Sequence, residues 1–192
     1  MVQYGFYFNS ERCTGCRACQ IACKDQNNLD IGVLFRQVKT YETGAYPTPG
    51  YYHITSTCNQ CMVPACVTAC PASAITKDAD TGVVFIDAEL CSGSKTCIEA
   101  CPYEVPQWLE DQGISAKCDM CAAFRANGET PACVNACPLR VLEWGNIDEL
   151  KAKYPDAVMD LPVLPSSSDT VPAAIISPRS AALEPDFRRK FI

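Results

Sequence analysis

The sequence predicts a small α+β fold made of two interleaved modules and an extended C-terminal tail. The chain has 192 residues, enough for one domain or two small ones. Fifteen of these residues are cysteines, and they fall into four tight groups. Short runs with strand character lie between the groups, and beyond residue 155 the chain shows no clear periodicity. We therefore place an outer module at 1–57 and 102–154, an inserted module at 58–101 and the tail at 155–192.

The four cysteine groups repeat one local rhythm. They are Cys13-x2-Cys16-x2-Cys19-x3-Cys23, Cys58-x2-Cys61-x4-Cys66-x3-Cys70, Cys91-x2-Ser94-x2-Cys97-x3-Cys101 and Cys118-x2-Cys121-x11-Cys133-x3-Cys137. Such spacing is typical of thiolate ligands to a cubane iron–sulfur cluster. The fourth cysteine lies one turn further on and ligates the other cluster of a pair. A proline, which suits the start of a turn, follows the fourth cysteine in every group except the first.

Exchange of the fourth ligands predicts four iron sites that use every cysteine once. Site A is Cys13, Cys16, Cys19 and Cys137; site B is Cys118, Cys121, Cys133 and Cys23; site C is Cys58, Cys61, Cys66 and Cys101; site D is Cys91, Cys97 and Cys70. Ser94 stands at site D where a fourth ligand is expected. Soft thiolates are the ligand type that iron–sulfur clusters require, so no histidine is needed.

The remaining secondary structure follows from short local patterns. The predicted elements are helices at 17–28 and 146–153 and strands at 33–41, 51–56, 74–76 and 83–87. Asn146 is a good N-cap for the second helix. A β-hairpin between two cysteine groups is typical of a small two-cluster ferredoxin, so both modules are expected to be bacterial-ferredoxin-like. The tail, with six prolines and three consecutive serines, is expected to be disordered or laid along a partner subunit.

Composition excludes several other classes of protein. The net charge of −6 argues against nucleic acid or an anionic membrane surface as the main partner. The longest aliphatic or aromatic run is about four residues, whereas a membrane span needs about 20, so we expect no membrane span, and from the first residues we expect neither a signal peptide nor a twin arginine. The odd number and tight grouping of the cysteines disfavour a disulfide framework. A structural zinc module does not call for a third cysteine followed by a fourth three residues later.

Five stretches carry a family likeness. They are QYGFYFNSERCTGCRACQIACK, CNQCMVPACVTACPASAI, CPYEVPQW, KCDMCAAFRANGETPACVNACPLRVLEWG and IDELKAKYPD. In this order they resemble the iron–sulfur, electron-transfer (beta) subunit of the dimethyl sulfoxide reductase family of molybdopterin oxidoreductases. The resemblance spans about the first 156 residues.

The resemblance implies a non-catalytic subunit that relays electrons from a quinol-oxidising membrane anchor to a molybdopterin catalytic subunit. By analogy, site A faces the catalytic subunit and site D faces the anchor, with sites B and C between them. The complex is expected at the membrane on its periplasmic or outer face, co-exported with a catalytic partner that carries the twin-arginine signal. The cytoplasmic face is the alternative.

Ser94 puts the fourth cluster in question. In the related nitrate reductase subunit this position carries a tryptophan and the cluster has three irons. An alcohol is much harder to ionise than a thiol of pKa about 8.5, so it binds a fourth iron weakly. We expect three [4Fe-4S] clusters and one [3Fe-4S] cluster, the alternative being a fourth [4Fe-4S] completed by Ser94 or water. An open iron at site D acting as a Lewis acid is the competing, enzymatic interpretation.

Three further expectations concern residues near the cysteines. His53 is expected to be a surface or packed side chain rather than a ligand. Trp108 and Trp144 are expected to shield clusters from water. Lys24, Lys95 and Lys117, which adjoin ligands or the vacant ligand position, are expected to serve solubility rather than to offset cluster charge.

Overall fold

The computed structural model describes residues 2–191, which form ten strands, six α-helices and one 3-10 helix. The strands are β1 Tyr4–Asn9, β2 Gln37–Thr43, β3 Gly50–Ser56, β4 Ile75–Lys77, β5 Val84–Ile86, β6 Gln107–Leu109, β7 Ile114–Ala116, β8 Leu142–Asn146, β9 Ala174–Ser177 and β10 Arg188–Lys190. The helices are α1 Ala18–Gln26, α2 Ala65–Ala69, α3 Thr96–Ala100, α4 Ala122–Ala126, α5 Ala132–Asn135, α6 Ile147–Lys153 and the 3-10 helix Ser180–Leu183. This is the α+β class expected from the sequence.

Strand β1 is the centre of the outer module. Its sequence YGFYFN is rich in aromatic residues, which favour a strand packed on both faces. It pairs antiparallel with β8 and parallel with β9. Phe6 and Phe8 pack toward the cysteines, whereas Tyr7 packs on the opposite side against α6. The strand therefore separates the cysteine-bearing side of the module from the α6 side.

A second sheet lies beside the first cysteine group. Strands β2 and β3 form an antiparallel hairpin in which Thr40 faces His53, and β10 pairs with the outer edge of β2. Tyr52 and Ile54 are almost fully buried on this hairpin. The two strands occur where the sequence predicted them, displaced by a few residues at most ends.

Short helices come in pairs that relate the two modules. Helix α1 packs on α5 in the outer module, and α2 packs on α3 in the inserted module. Each of the four carries a cysteine inside it, and the fourth cysteine of its group lies within the helix or just after its end. The inserted module also contains the antiparallel hairpin β4–β5, as predicted between the second and third groups. The segments predicted as outer and inserted modules thus each contain a pair of short cysteine-bearing helices.

The other local predictions are also confirmed. Helix α1 covers most of the predicted 17–28, and α6 begins directly after Asn146. The Asn146 side chain accepts a hydrogen bond of 3.1 Å from the backbone N–H of Asp148. No helix within residues 2–191 is long and apolar enough to cross a membrane.

The tail is ordered against the protein's own sheets, so the alternative that it is disordered is wrong, while its packing on a partner subunit stays a prediction. Strand β9 extends the first sheet, and β10 extends the second. Ile175 is 2% exposed, and Leu161, Ala173 and Ala182 are equally well buried against the chain's own core. The prolines divide the tail into short apolar segments. None of these segments could form a hydrophobic core alone, but each is long enough to pack into the core formed by the rest of the protein.

Candidate iron–sulfur centres

The four cysteine groups share one backbone turn. In each group the residue immediately before the second ligand position has a left-handed conformation: φ is 68° at Gly15, 48° at Gln60, 71° at Gly93 and 58° at Met120. Two of these residues are not glycine, so the turn is held by its surroundings at a steric cost. The group that contains Ser94 therefore keeps the turn of a cysteine-ligand loop.

A second shared turn follows the fourth cysteine in three groups. The backbone N–H three residues later donates to the carbonyl of Cys70, Cys101 or Cys137, at 3.1 to 3.2 Å. Proline occupies the second position of each turn, as expected from its fixed φ. In the first group Lys24 replaces the proline, and α1 continues to Gln26.

Site A is a small concavity lined by its whole predicted set. Its walls include Cys13, Cys16, Cys19 and Cys137. Burial raises the pKa of the Cys13 thiol, and the charges of the other three cysteines raise it further. Backbone N–H groups of Gly15 and Val141 point at two of the sulfurs, 3.5 Å and 3.4 Å away. Cys16 is exposed, so site A lies at the surface.

Site B is the most buried set. Its members Cys23, Cys118 and Cys133 are buried, and Cys121 is half-buried. Burial, together with the charges of neighbouring cysteines such as Cys133 and Cys121, raises the pKa of Cys23 to about 12, although the Arg36 cation lowers it. The Met120 N–H lies 3.4 Å from the Cys118 sulfur. All four predicted cysteines therefore lie within electrostatic range of one another.

Site C is a second small concavity, again lined by its whole predicted set. Its walls include Cys58, Cys61, Cys66 and Cys101 together with Lys117. Burial and, to a smaller extent, the neighbouring thiols raise the pKa of Cys66 to about 12, although Lys117 lowers it. The tail closes one side, because the backbone N–H groups of Met62 and Val63 donate to the carbonyls of Val171 and Thr170.

Site D is more open. Cys97 is buried and packs with Cys70 in the core of the inserted module, whereas Cys91 is half-buried at the start of the loop. Ser94 is exposed, and its hydroxyl lies 3.2 Å from that of Thr96. Ser94 occupies the place in its loop that the exposed Cys16 occupies at site A, between a left-handed glycine and a left-handed basic residue. The two ends of the set of sites thus have matching loops, one with a thiol and one with a hydroxyl.

Cysteines of neighbouring sites also interact, which orders the sites. The charge of Cys133 of site B raises the pKa of Cys19 of site A. The charge of Cys58 of site C likewise raises the pKa of Cys118 of site B. Cys66 of site C and Cys97 of site D share one hydrophobic cluster. The order along the molecule is therefore A, B, C and D.

Two buried cations accompany the cysteines. Arg36 is 2% exposed and Lys117 is 7% exposed. The expectation that Lys117 serves solubility is wrong, because its ammonium group is enclosed and donates to backbone carbonyls of Val84 and Cys118. Sequence reasoning missed Arg36 altogether. No local pattern marks it, since Arg36 is a single charged residue between Phe35 and Gln37 in a segment with strand character.

The other residues singled out from the sequence are packed side chains. His53 is buried, and its Nδ1 lies 3.0 Å from the Thr40 hydroxyl. Trp144 contacts Tyr4 and packs against the cysteine-rich cluster around site B. Trp108 lies under the Ser94 loop, where the Lys95 ammonium is 4.0 Å from its ring centroid.

The residues present fit iron–sulfur clusters. All fifteen cysteines are free. Backbone N–H groups aimed at sulfur stabilise thiolates, and burial keeps the free thiols protonated until a metal displaces the proton.

Comparison with known proteins gives a consistent result. A family model described as a 4Fe-4S dicluster domain matches residues 50–147, and one described as a 4Fe-4S binding domain matches residues 4–25.

Curated relatives match over nearly the whole length of the protein. One chain of the anaerobic dimethyl sulfoxide reductase of Haemophilus influenzae is 41% identical over 191 residues, which cover 95% of this protein and 92% of the relative. The corresponding chain of the Escherichia coli reductase is 40% identical over 186 residues, covering 93% and 90%. A subunit of the sulfite dehydrogenase of Allochromatium vinosum is 34% identical over 136 residues, covering 63% and 57%. This protein therefore belongs to the iron–sulfur, electron-transfer subunits of the dimethyl sulfoxide reductase family.

Proposed function

We propose that this protein relays electrons between a quinol-oxidising membrane anchor and a molybdopterin catalytic subunit that reduces a terminal acceptor. The observation that carries the proposal is the continuous order of the four cysteine sets. The cysteines of sites B and C are all buried or half-buried, whereas the second ligand positions of sites A and D, Cys16 and Ser94, are exposed. An electron can therefore enter at one surface of the protein and leave at another.

The ligand sets proposed are those of sites A to D as defined above, each cysteine serving once. Bound clusters supply one-electron redox chemistry. The protein's own part is to hold the thiolates and to exclude water. Burial of Cys23, Cys118 and Cys133 keeps site B dry, and the tail, which accepts backbone hydrogen bonds from Met62 and Val63, covers one side of site C. These contacts tune a cluster's potential as well as its stability.

At site D we propose a three-iron cluster held by Cys70, Cys91 and Cys97, with the other three sites holding [4Fe-4S] clusters. Ser94 has the backbone of a ligand loop but carries a hydroxyl, which does not ionise readily beside three thiolates. Its hydroxyl already contacts that of Thr96. A hydroxyl in place of the expected thiol therefore removes a ligand and leaves the backbone of the loop unchanged.

The partners are proposed by analogy with the relatives, which are named as single chains of multi-chain oxidoreductases. Exposed apolar side chains beside site A, Ile21 and Leu139, suit a contact with the catalytic subunit. Exposed Leu90 beside site D suits a contact with the anchor. The complex is proposed to lie at the membrane, on the periplasmic or outer face, with this protein taking no part in the chemistry of the substrate.

Electron paramagnetic resonance of the purified complex tests the proposal. A near-isotropic signal in the oxidised protein that disappears on mild reduction, followed by three further signals on stronger reduction, is the expected result. Silence in the oxidised protein with four signals on reduction would give site D four irons, and would favour the Lewis-acid interpretation. Iron and sulfide contents far below four clusters for each protein molecule would contradict the relay itself.

Ser94→Cys is the matched variant for site D. It restores a thiol to a loop whose turn already suits one, so the oxidised signal should vanish and a fourth reduced signal should appear. A variant spectrum identical to the parent would contradict the assignment of Ser94 to the missing ligand position.

A further inference from the structure

Arg36 and Lys117 are the two cationic Lys or Arg side chains that the structure buries within residues 2–191. Neither has a carboxylate partner within ion-pair distance in this part of the protein. A buried charge without a counter-charge is costly, so each must be balanced by something else in its surroundings. What the two share is their position between consecutive cysteine sets.

Arg36 lies between sites A and B. Its Nη1 donates to the Thr55 hydroxyl at 3.0 Å, and that hydroxyl is 3.7 Å from the Cys19 sulfur of site A. Its guanidinium lies 4.9 Å from the ring centroid of Phe6, which packs with the buried cysteines of site B. Its charge acts on cysteines of both sites.

The remaining donors of Arg36 point to a missing partner. Nε and Nη2 are buried and have no hydrogen-bond acceptor among the described residues. Buried donors are nearly always satisfied. The ionisable groups that act on Arg36 are cysteines of sites A and B, and its partner Thr55 lies next to the Cys19 sulfur, so a cluster bound at these sites is a suitable counter-charge.

Lys117 lies between sites B and C. It is adjacent in sequence to Cys118 of site B, and its Nζ donates to the Cys118 carbonyl at 3.2 Å. Its side chain also lines the concavity of site C, where its charge acts on Cys66 and Cys101. One side chain therefore borders two neighbouring sites, as Arg36 does one step earlier.

We propose that Arg36 and Lys117 are positioning residues that set the reduction potentials at the two inner junctions, Arg36 for sites A and B and Lys117 for sites B and C. Reduction of a cluster by one electron, supplied by quinol or dithionite, adds one negative charge. A fixed cation nearby stabilises that charge, and in a dry interior the interaction is only weakly screened. Site B, which borders both cations, receives the larger total effect.

This inference rests on the proposed function, and the experiment separates the two. The purified complex is titrated with dithionite while the paramagnetic signals are recorded, for the parent and for Arg36→Met and Lys117→Met. Arg36→Met should make sites A and B harder to reduce, by at least tenfold in the equilibrium constant, which is about 59 mV for one electron. Lys117→Met should do the same for sites B and C and leave site A unchanged.

Three controls make the pattern specific. Arg36→Lys keeps a cation and should retain most of the parent potential. Thr55→Val removes the hydroxyl that Arg36 binds but no charge, and should shift site A less than Arg36→Met does. Arg188→Met removes an exposed cation paired with Glu42 and should shift nothing.

Signals absent from the parent complex would overturn the proposed function itself. If the parent signals are present but the equilibrium constants for reduction change less than twofold in both methionine variants, only the role of the cations is overturned. If Arg36→Met fails to assemble its clusters, Lys117→Met and Arg36→Lys are measured instead. A shift of potential in Lys117→Met that is confined to sites B and C supports the inference, and no shift contradicts it.

Discussion

Ile175→Ala tests whether the C-terminal segment belongs to the core. Ile175 lies in β9 and is 2% exposed, packed with Tyr7 and Ile147 on the α6 side of the first sheet. Truncating a buried isoleucine to alanine costs about 2–5 kcal/mol, because it removes apolar contacts and leaves a cavity. Taking about 3 kcal/mol, and about 2–4 °C of Tm for each kcal/mol in a protein of this size, the Tm falls by about 6–12 °C.

Ile31→Ala is the matched control, since Ile31 is 99% exposed. A surface substitution of this kind changes stability by less than about 0.5 kcal/mol. The assay is thermal melting of the purified complex, followed by the visible absorbance of its clusters. Equal apparent Tm values for the two variants would refute the packing of β9 and restore the idea of a loosely attached tail.

Three further predictions concern local features. Gly15→Ala should abolish the signal of site A, because φ is +68° and the added Cβ would lie 2.6 Å from the His53 ring. The control Gly113→Ala, at φ +64° but in open space, should keep the site A signal. Equal site A signals in the two variants would contradict this prediction. Asn146→Ala should cost about 1 kcal/mol in thermal melts by uncapping α6, and Asn146→Asp should restore most of it; no difference between them would argue against the cap. Burial raises the pKa of Glu143, but hydrogen bonds from Lys153 and Tyr154 outweigh it and hold the pKa below 4.5. The folded carboxylate is therefore stabilising at neutral pH, so Glu143→Gln should lower Tm at pH 7. The difference in Tm between parent and variant should shrink as the pH falls below 4.5, and a difference independent of pH would contradict the pairing of Glu143 with Lys153 and Tyr154.

Local features were predictable from the sequence because their causes are local. The cysteine spacing sets the turns at Gly15 and Gly93, the proline after Cys70 starts a turn, and Asn146 caps the helix that follows it. The same reasoning located the hairpin β4–β5. Each depends on residues a few positions apart, so no knowledge of the packing was needed.

The features that the sequence did not predict depend on long-range packing. The segment AAIIS near the end of the tail has the apolar run of a buried strand, and this signal could have placed β9 in the core. Arg36 offers no such signal. Its charge is buried because the cysteines of two distant groups gather around it, and only the fold brings those groups together.

The relay itself is tested most directly by removing its interior link. In Cys118→Ala/Cys121→Ala, site B keeps two of its four thiolates, too few to hold a cluster. Electrons are supplied to the membrane-bound complex by a quinol analogue, and samples are frozen at intervals for electron paramagnetic resonance. The account predicts that sites C and D become reduced while site A and the catalytic subunit stay oxidised. Reduction of site A at the rate of the parent complex would contradict a linear relay through site B.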